Sequence, residues 1–133
     1  MKERIIAIIR DVERFFTDLK EENIAKEEDL YPKGKFYAVS MILFSLVNRA
    51  IDLGEEIIST KNYGFPSTYR EVFGLLEKNK VIDKALYSDL SYLVYFRNLA
   101  SHEYHTFTST DVYKAYKKIG AIKKFIVIAK KFL

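Results

Sequence analysis

The chain has 133 residues and a formal net charge of +4, with 49% hydrophobic and 30% charged side chains. This balance excludes a disordered chain and is typical of one globular domain, which we expect to span residues 1–133. Cysteine is absent, which excludes disulfides, thiolate nucleophiles and cysteine-ligated zinc and favours a cytoplasmic location.

The first predicted helix covers about residues 2–20, where apolar side chains recur at steps of three and four and form one stripe. The apolar run at residues 5–9 is followed at once by charged residues, so we expect no secretion signal. Pro32 and Gly34 predict a turn before the second helix, because proline ends a helix and glycine permits positive φ.

The second predicted helix covers about residues 35–60 and is apolar on most sides, as expected of a central helix. Its charged residues would be costly in lipid, so we interpret it as a core helix rather than a membrane span. Polar residues at steps of three and four form a seam on one face: Ser45, Asn48, Asp52 and Glu55 or Glu56. The seam indicates either a structural hydrogen-bond network or side chains that hold catalytic groups in place.

Three further helices are predicted. Thr68 and Glu71 have the spacing of a capping box and start the third helix. Asp83 is the predicted N-cap of the fourth helix, which ends in residues 97–105. The fifth is predicted as one helix from about Asp111 to the C-terminus. No stretch alternates as a strand does, so we predict an all-α, antiparallel helical bundle of about five helices.

The positive charge is concentrated in the fifth helix. Residues 105–133 hold seven lysines and one acidic residue, whereas residues 1–104 hold 15 basic and 17 acidic residues. The lysines predicted to project outward form a candidate nucleic-acid-binding face: Lys114, Lys117, Lys118 and Lys124. Such a face attracts phosphates in a salt-dependent way, although a solvated lysine face without a ligand explains the pattern equally well.

Both histidines of the chain lie near the end of the fourth helix, in the segment RNLASHEYH at residues 97–105. An imidazole exchanges protons near neutral pH, so His102 is a candidate base or acid. A guanidinium is permanently charged and presents a planar fork of donors, so Arg97 is a candidate for stabilising charge that develops on a phosphate. RNA supplies its own nucleophile in the 2′-hydroxyl, so these groups suit metal-free cleavage to 2′,3′-cyclic phosphate ends.

Helix geometry constrains how these groups can meet. On a straight helix Arg97 and Tyr104 share a face, whereas Arg97 and His102 point about 140° apart. We therefore expect either that the helix unwinds near residues 100–103 or that the same segment of a second subunit completes the site across a two-fold axis.

Other interpretations of the segment are open. His102 and His105 are spaced to share a zinc ion but lack a well-placed third ligand. Ser101 and His102 are adjacent and point in different directions, which disfavours a serine hydrolase.

The segment also has a purely structural interpretation. Arg97 would pair with an acidic residue such as Asp52 or Glu56, His102 would cap a helix, and Tyr104 would pack at a rim.

The pattern Arg-Asn-x-x-x-His-x-Tyr resembles the Arg-x-x-x-x-His-x-Tyr motif of HepT toxins in the HEPN ribonuclease superfamily, and it is formed by Arg97, Asn98, His102 and Tyr104. Residues 48–58 (NRAIDLGEEII) and 64–73 (GFPSTYREVF) also resemble that family, in its order and spacing. The resemblance therefore covers most of the chain.

The resemblance implies an antiparallel helical fold, a homodimer whose composite site joins two copies of the motif, and a toxin that cleaves RNA without a metal or cofactor through Arg97 and His102. It also implies an MntA-like nucleotidyltransferase antitoxin, which silences the toxin by transferring AMP to Tyr104. The added charge and bulk would compete with the RNA phosphate beside Arg97.

The remaining site residues are assigned supporting roles. Asn98 follows the motif arginine and is expected to orient it, and Asn48 and Asp52 of the seam are expected to support the motif. The role of His105 is open. The rival hypothesis is a non-catalytic subunit of the same fold that binds RNA or nucleotide and recruits it to a partner nucleotidyltransferase.

Overall fold

The computed structural model describes residues 2–102 and 106–133, and these ranges form six α-helices and two short 3₁₀ turns without any strand. The helices are α1 (Lys2–Glu21), α2 (Lys33–Lys61), α3 (Tyr69–Lys78), α4 (Lys84–His102), α5 (Ser109–Lys118) and α6 (Gly120–Ala129). The 3₁₀ turns are Glu27–Leu30 and Lys130–Phe132. The predicted all-α bundle is confirmed.

Helix α2 is the centre of the bundle, because α1, α3, α4, α5 and α6 all pack against it. Its fully buried side chains include Leu43, Leu46, Leu53 and Ile57, and each such burial stabilises the fold by about 1.5–3 kcal/mol. In the described ranges, α2 is the one helix long and apolar enough to cross a membrane. Its packing by five neighbours supports the interpretation as a core helix.

Side-chain caps mark the starts of α3, α4 and α5. Asp83 Oδ1 accepts a hydrogen bond from the Leu86 N–H at 2.8 Å, as predicted for the N-cap of α4. Thr68 Oγ1 accepts from the Glu71 N–H at 3.1 Å. The Glu71 carboxylate accepts from the backbone N–H and the hydroxyl of Ser67, both at 2.7 Å, one residue earlier than a capping box requires. These bonds hold the pKa of Glu71 below its usual range.

The prediction of one helix from residue 111 to the C-terminus is wrong. The helix is interrupted at Ile119, between α5 and α6. There the Ile119 N–H donates to Tyr116 O at 3.3 Å, and the Ile122 N–H donates to Ile119 O at 3.0 Å. These are 3₁₀-type bonds beside Gly120, a residue with low helix propensity. The break keeps Ile119 and Ile122 both buried against the bundle.

Helices α2 and α3 approach closely at Gly54, where an added Cβ would lie 2.6 Å from Val72 Cγ1. Because Val72 is buried, we expect Gly54→Ala to lower the free energy of unfolding by about 1–3 kcal/mol. Gly34→Ala is the matched control, since its Cβ would meet nothing within 4 Å. Urea denaturation compares them, and equal stability of the two variants would contradict the close approach.

Candidate active site

Arg97 reaches from α4 to the central helix. Its Nε donates to Asn48 Oδ1 of α2 at 2.8 Å, and its Nη1 donates to Asn98 Oδ1 at 3.2 Å. The side chain is half-buried, so two amide oxygens fix the orientation of a guanidinium that solvent still reaches. The structure thus brings together Arg97, Asn98 and Asn48, the last of which is 49 residues away in the sequence.

Two aromatic rings also contact this guanidinium. Its Cζ lies 4.6 Å from the centroid of the Tyr69 ring and 5.3 Å from that of the Phe44 ring. Both distances are within cation–π range, and each such contact contributes about 0.5–2 kcal/mol. Sequence reasoning did not single out Phe44 or Tyr69. The available signals were the position of Phe44 one helical turn before Asn48 and that of Tyr69 directly after the cap of α3.

Arg97 has no carboxylate partner among residues 2–102 and 106–133. The acids suggested for it pair elsewhere: Asp52 accepts from Arg49 Nη1 at 2.8 Å, and Glu56 accepts from Arg4 Nε at 3.1 Å. The structural interpretation in which Asp52 or Glu56 neutralises Arg97 is therefore wrong. No carboxylate among the described residues neutralises the positive charge of Arg97.

The polar seam of α2 divides into two networks with different neighbours. Asn48 accepts the hydrogen bond from Arg97. Asp52 instead pairs with Arg49, whose Nη2 also contacts Asp11 Oδ2 of α1 at 2.6 Å. Burial by itself would lower the pKa of Arg49, but its bonds to Asp52 and Asp11 raise it. The Arg49–Asp11 pair therefore joins α1 to α2. Asp52 supports Arg49 within α2, and the structure does not bring Asp52 to Arg97.

His102 is the last residue of α4 and is exposed. The chain is helical through residues 100–102, so the predicted unwinding is not found there, and the regular helix directs Arg97 and His102 about 140° apart. Glu103, Tyr104 and His105 lie outside the described residues. Within the described ranges, no group of three His, Asp or Glu side chains is placed to hold a metal ion.

The family model described as "Ribonuclease HepT-like" matches residues 5–129. This chain belongs to the HepT-like ribonuclease family. No curated protein gives a significant match. Several solved structures share this fold although their sequences are under 25% identical to this chain.

Three solved structures illustrate the likeness. The tri-AMPylated HEPN toxin of Shewanella oneidensis in complex with MNT antitoxin is 23% identical, covers 98% of this chain and 99% of its own, and gives a TM-score of 0.88. A toxin–antitoxin structure with AMP-PNP is 22% identical, covers 97% of this chain and 98% of its own, and gives a TM-score of 0.87. YutE of Bacillus subtilis, a cytosolic protein of unknown function, is 20% identical, covers 96% of this chain and 88% of its own, and gives a TM-score of 0.82.

The lysines singled out in this HepT-like chain do not all share one surface. Lys114, Lys117 and Lys118 line a hollow of about 390 Å³ together with Tyr92 of α4. Lys124 lies on α6, beyond the break at Ile119, and does not line that hollow.

An apolar hollow of about 400 Å³ lies between α2, the last turn of α4 and Phe107. Its lining includes Phe44, Ala100 and Phe107 together with Tyr37 and Met41, whose side chains are 60% and 64% exposed. Phe44 also contacts Arg97, so this apolar surface and the guanidinium adjoin.

Substitutions at the two networks of the seam should separate their roles. We expect Asn48→Ala to lower RNA cleavage about tenfold to 100-fold, because Arg97 loses the acceptor that orients it. Asp52→Asn should leave cleavage nearly unchanged and lower the free energy of unfolding by up to about 1 kcal/mol. Initial cleavage rates and urea denaturation measure the two effects. Equal loss of cleavage in both variants would show that the networks act together.

Proposed function

We propose that this chain is the toxin of a toxin–antitoxin pair, a metal-independent endoribonuclease that leaves 2′,3′-cyclic phosphate and 5′-hydroxyl ends. Arg97 is the observation that carries the proposal. It is oriented by Asn48 and Asn98, contacts two aromatic rings and has no carboxylate partner in the described part of the chain. A fixed, unneutralised guanidinium is suited to bind the phosphate whose negative charge grows during cleavage.

The proposed reaction needs only proton transfer and charge stabilisation. Neutral His102 takes the proton of the 2′-hydroxyl, and the 2′-oxygen attacks phosphorus while the bond from phosphorus to the 5′-oxygen breaks. A second imidazole, protonated, gives its proton to the departing 5′-oxygen. Arg97 stabilises the charge on the non-bridging oxygens, and each proton-transfer catalyst contributes about 10²–10⁴-fold in rate.

The second imidazole is proposed to be His102 of another copy of the chain, in a homodimer. Two observations support this arrangement. Arg97 and His102 leave a regular helix about 140° apart, so groups from two facing copies of the helix are needed to surround one phosphate. The exposed apolar side chains of Tyr37 and Met41 adjoin Phe44 beside Arg97, and burial of such a surface between two copies would stabilise a dimer.

Regulation is proposed to come from an MntA-like nucleotidyltransferase antitoxin in the cytoplasm. The phenolic oxygen of Tyr104 would attack the α-phosphorus of ATP, lose its proton and release pyrophosphate, leaving AMP on the tyrosine. Family membership supports this step, and so does the likeness to a tri-AMPylated toxin in complex with MNT antitoxin. A phosphodiester added near the RNA site would compete with the substrate phosphate for Arg97.

The activity is tested by RNA cleavage in EDTA. We expect cleavage to persist in the chelator and to yield 2′,3′-cyclic phosphate ends, identified by mass spectrometry. His102→Ala should lower the rate by about 10²–10⁴-fold, and Arg97→Ala should lower it by a similar factor. Circular dichroism controls for folding. RNA binding without cleavage by highly purified wild-type protein would instead favour the subunit that recruits RNA or nucleotide.

The composite dimer is tested by mixing subunits. If both copies of His102 serve one groove, an equimolar mixture of wild-type protein and His102→Ala should have about half the activity of the unmixed wild-type component, because random exchange converts wild-type chains into inactive heterodimers. A sample assayed before exchange is the control and should show no loss. Activity independent of exchange, with heterodimers detected by native mass spectrometry, would place a complete site in each chain.

A further inference from the structure

The hollow between α4 and α5 combines positive charge with aromatic surface. Its lining residues are Tyr92, Lys114, Lys117 and Lys118. Tyr95 lies beside it, with its ring centroid 5.9 Å from that of Tyr92, and is 57% exposed. We call these five residues the α4–α5 strip.

Two of the three lysines of the strip carry charge that no described carboxylate neutralises. Lys118 Nζ contacts Asp89 Oδ1 at 3.3 Å and lies 5.6 Å from the Tyr92 ring centroid. Lys114 and Lys117 have no carboxylate partner in the described ranges. The other nearby acid, Asp111, is engaged by the Thr108 N–H at 2.8 Å and hydroxyl at 3.1 Å. Two lysine charges are therefore available to phosphates.

Among ligands with phosphates, the aromatic rings of the strip favour a nucleic acid whose bases are unpaired. The Tyr95 ring is solvent-exposed on a helix, and such a ring offers a flat apolar face on which a nucleobase can stack. In a duplex the base faces are already stacked on one another and are closed to a side chain. Lysines for phosphates and a free tyrosine ring for a base together fit a single strand.

The strip is continuous with the proposed catalytic histidine along α4. Tyr95 and His102 are seven residues apart, so they point within about 20° of each other and lie about 10 Å apart along the axis. A strand lying on the strip would therefore lead directly to His102.

We propose that the α4–α5 strip binds the single-stranded RNA segment next to the cleaved bond. Tyr95 stacks on a base, and Lys114 and Lys117 contact phosphates. The identity of the ligand as RNA rests on the proposed function. Lys124 is excluded from this role, although the sequence groups it with the other lysines.

Binding is tested in a His102→Ala background with a labelled single strand of about 12 nucleotides, by fluorescence anisotropy at several salt concentrations. Replacing Lys114 and Lys117 together by alanine should reduce the slope of log affinity against log salt by about 1.4, or about 0.7 for each phosphate contact. The matched control replaces Lys124 and Lys131 by alanine. It removes the same charge and should leave the slope unchanged.

The stacking contact is tested separately at the exposed tyrosine. Tyr95→Ala should weaken binding about tenfold without changing the salt slope, whereas Tyr95→Phe should retain the affinity because it keeps the ring. Thermal denaturation checks that the variants stay folded. The proposal is overturned if Tyr95→Ala binds normally, if the control lysines matter equally, or if a duplex binds as tightly as the single strand.

Cleavage measurements separate this proposal from the activity itself. With His102 intact, the strip variants should cleave the single strand about tenfold more slowly than the wild type, whereas the Lys124 and Lys131 control variant should cleave it at the wild-type rate. If the strip variants and the wild type cleave the single strand at equal rates, the proposed RNA binding by the strip is contradicted, whereas the proposed ribonuclease activity is not. If the wild-type protein does not cut the strand, the ribonuclease proposal fails, and the affinity measurements still test whether the strip binds RNA.

Discussion

The hydrogen bond from Arg97 to Asn48 is the contact on which the proposed site depends. It joins α4 to the central helix at 2.8 Å and fixes the guanidinium against the Phe44 and Tyr69 rings. A half-buried arginine loses solvation, and it is stable there only where acceptors and ring faces replace water. Amide oxygens do so without cancelling its charge, which a carboxylate in the same position would do.

The neighbouring polar network shows the contrast. At the residue directly after Asn48, the Arg49 guanidinium is held by Asp11 and Asp52, so carboxylates neutralise its charge and the pair with Asp11 joins α1 to α2. Arg97 and Arg49 therefore have different roles. Amide oxygens orient Arg97 without neutralising it, whereas carboxylates neutralise Arg49. The seam alone does not distinguish these uses, because both kinds of side chain are polar and repeat at the same helical spacing.

Local patterns predicted most of the fold, and long-range contacts explain what they left out. The apolar stripes and the Asp83 cap depend on residues a few positions apart, so helices α1 to α4 were predictable from sequence. The break at Ile119 combines a local signal, the low helix propensity of Gly120, with the burial of Ile119 and Ile122 against the bundle, which the sequence does not report. The contacts of Arg97 with Phe44 and Tyr69 join three different helices. The spacing of Phe44 from Asn48 places it on the same side of α2 but does not show that either ring contacts Arg97. Only the motif at residues 97–104 drew attention to Arg97.

Helix α4 divides the proposed chemistry between two of its sides. One side directs Arg97 into the contacts with α2 and α3, and the other carries Tyr95 and His102 toward solvent. A single strand on the Tyr95 side reaches His102 but not the Arg97 of the same chain, since a straight helix separates them by about 140°. A second copy resolves this separation by presenting its own copy of the motif to the phosphate that the first copy delivers. On this arrangement RNA binding is a property of each chain, whereas cleavage belongs to the dimer, and a modification that blocks Arg97 would stop cleavage while leaving the binding strip intact.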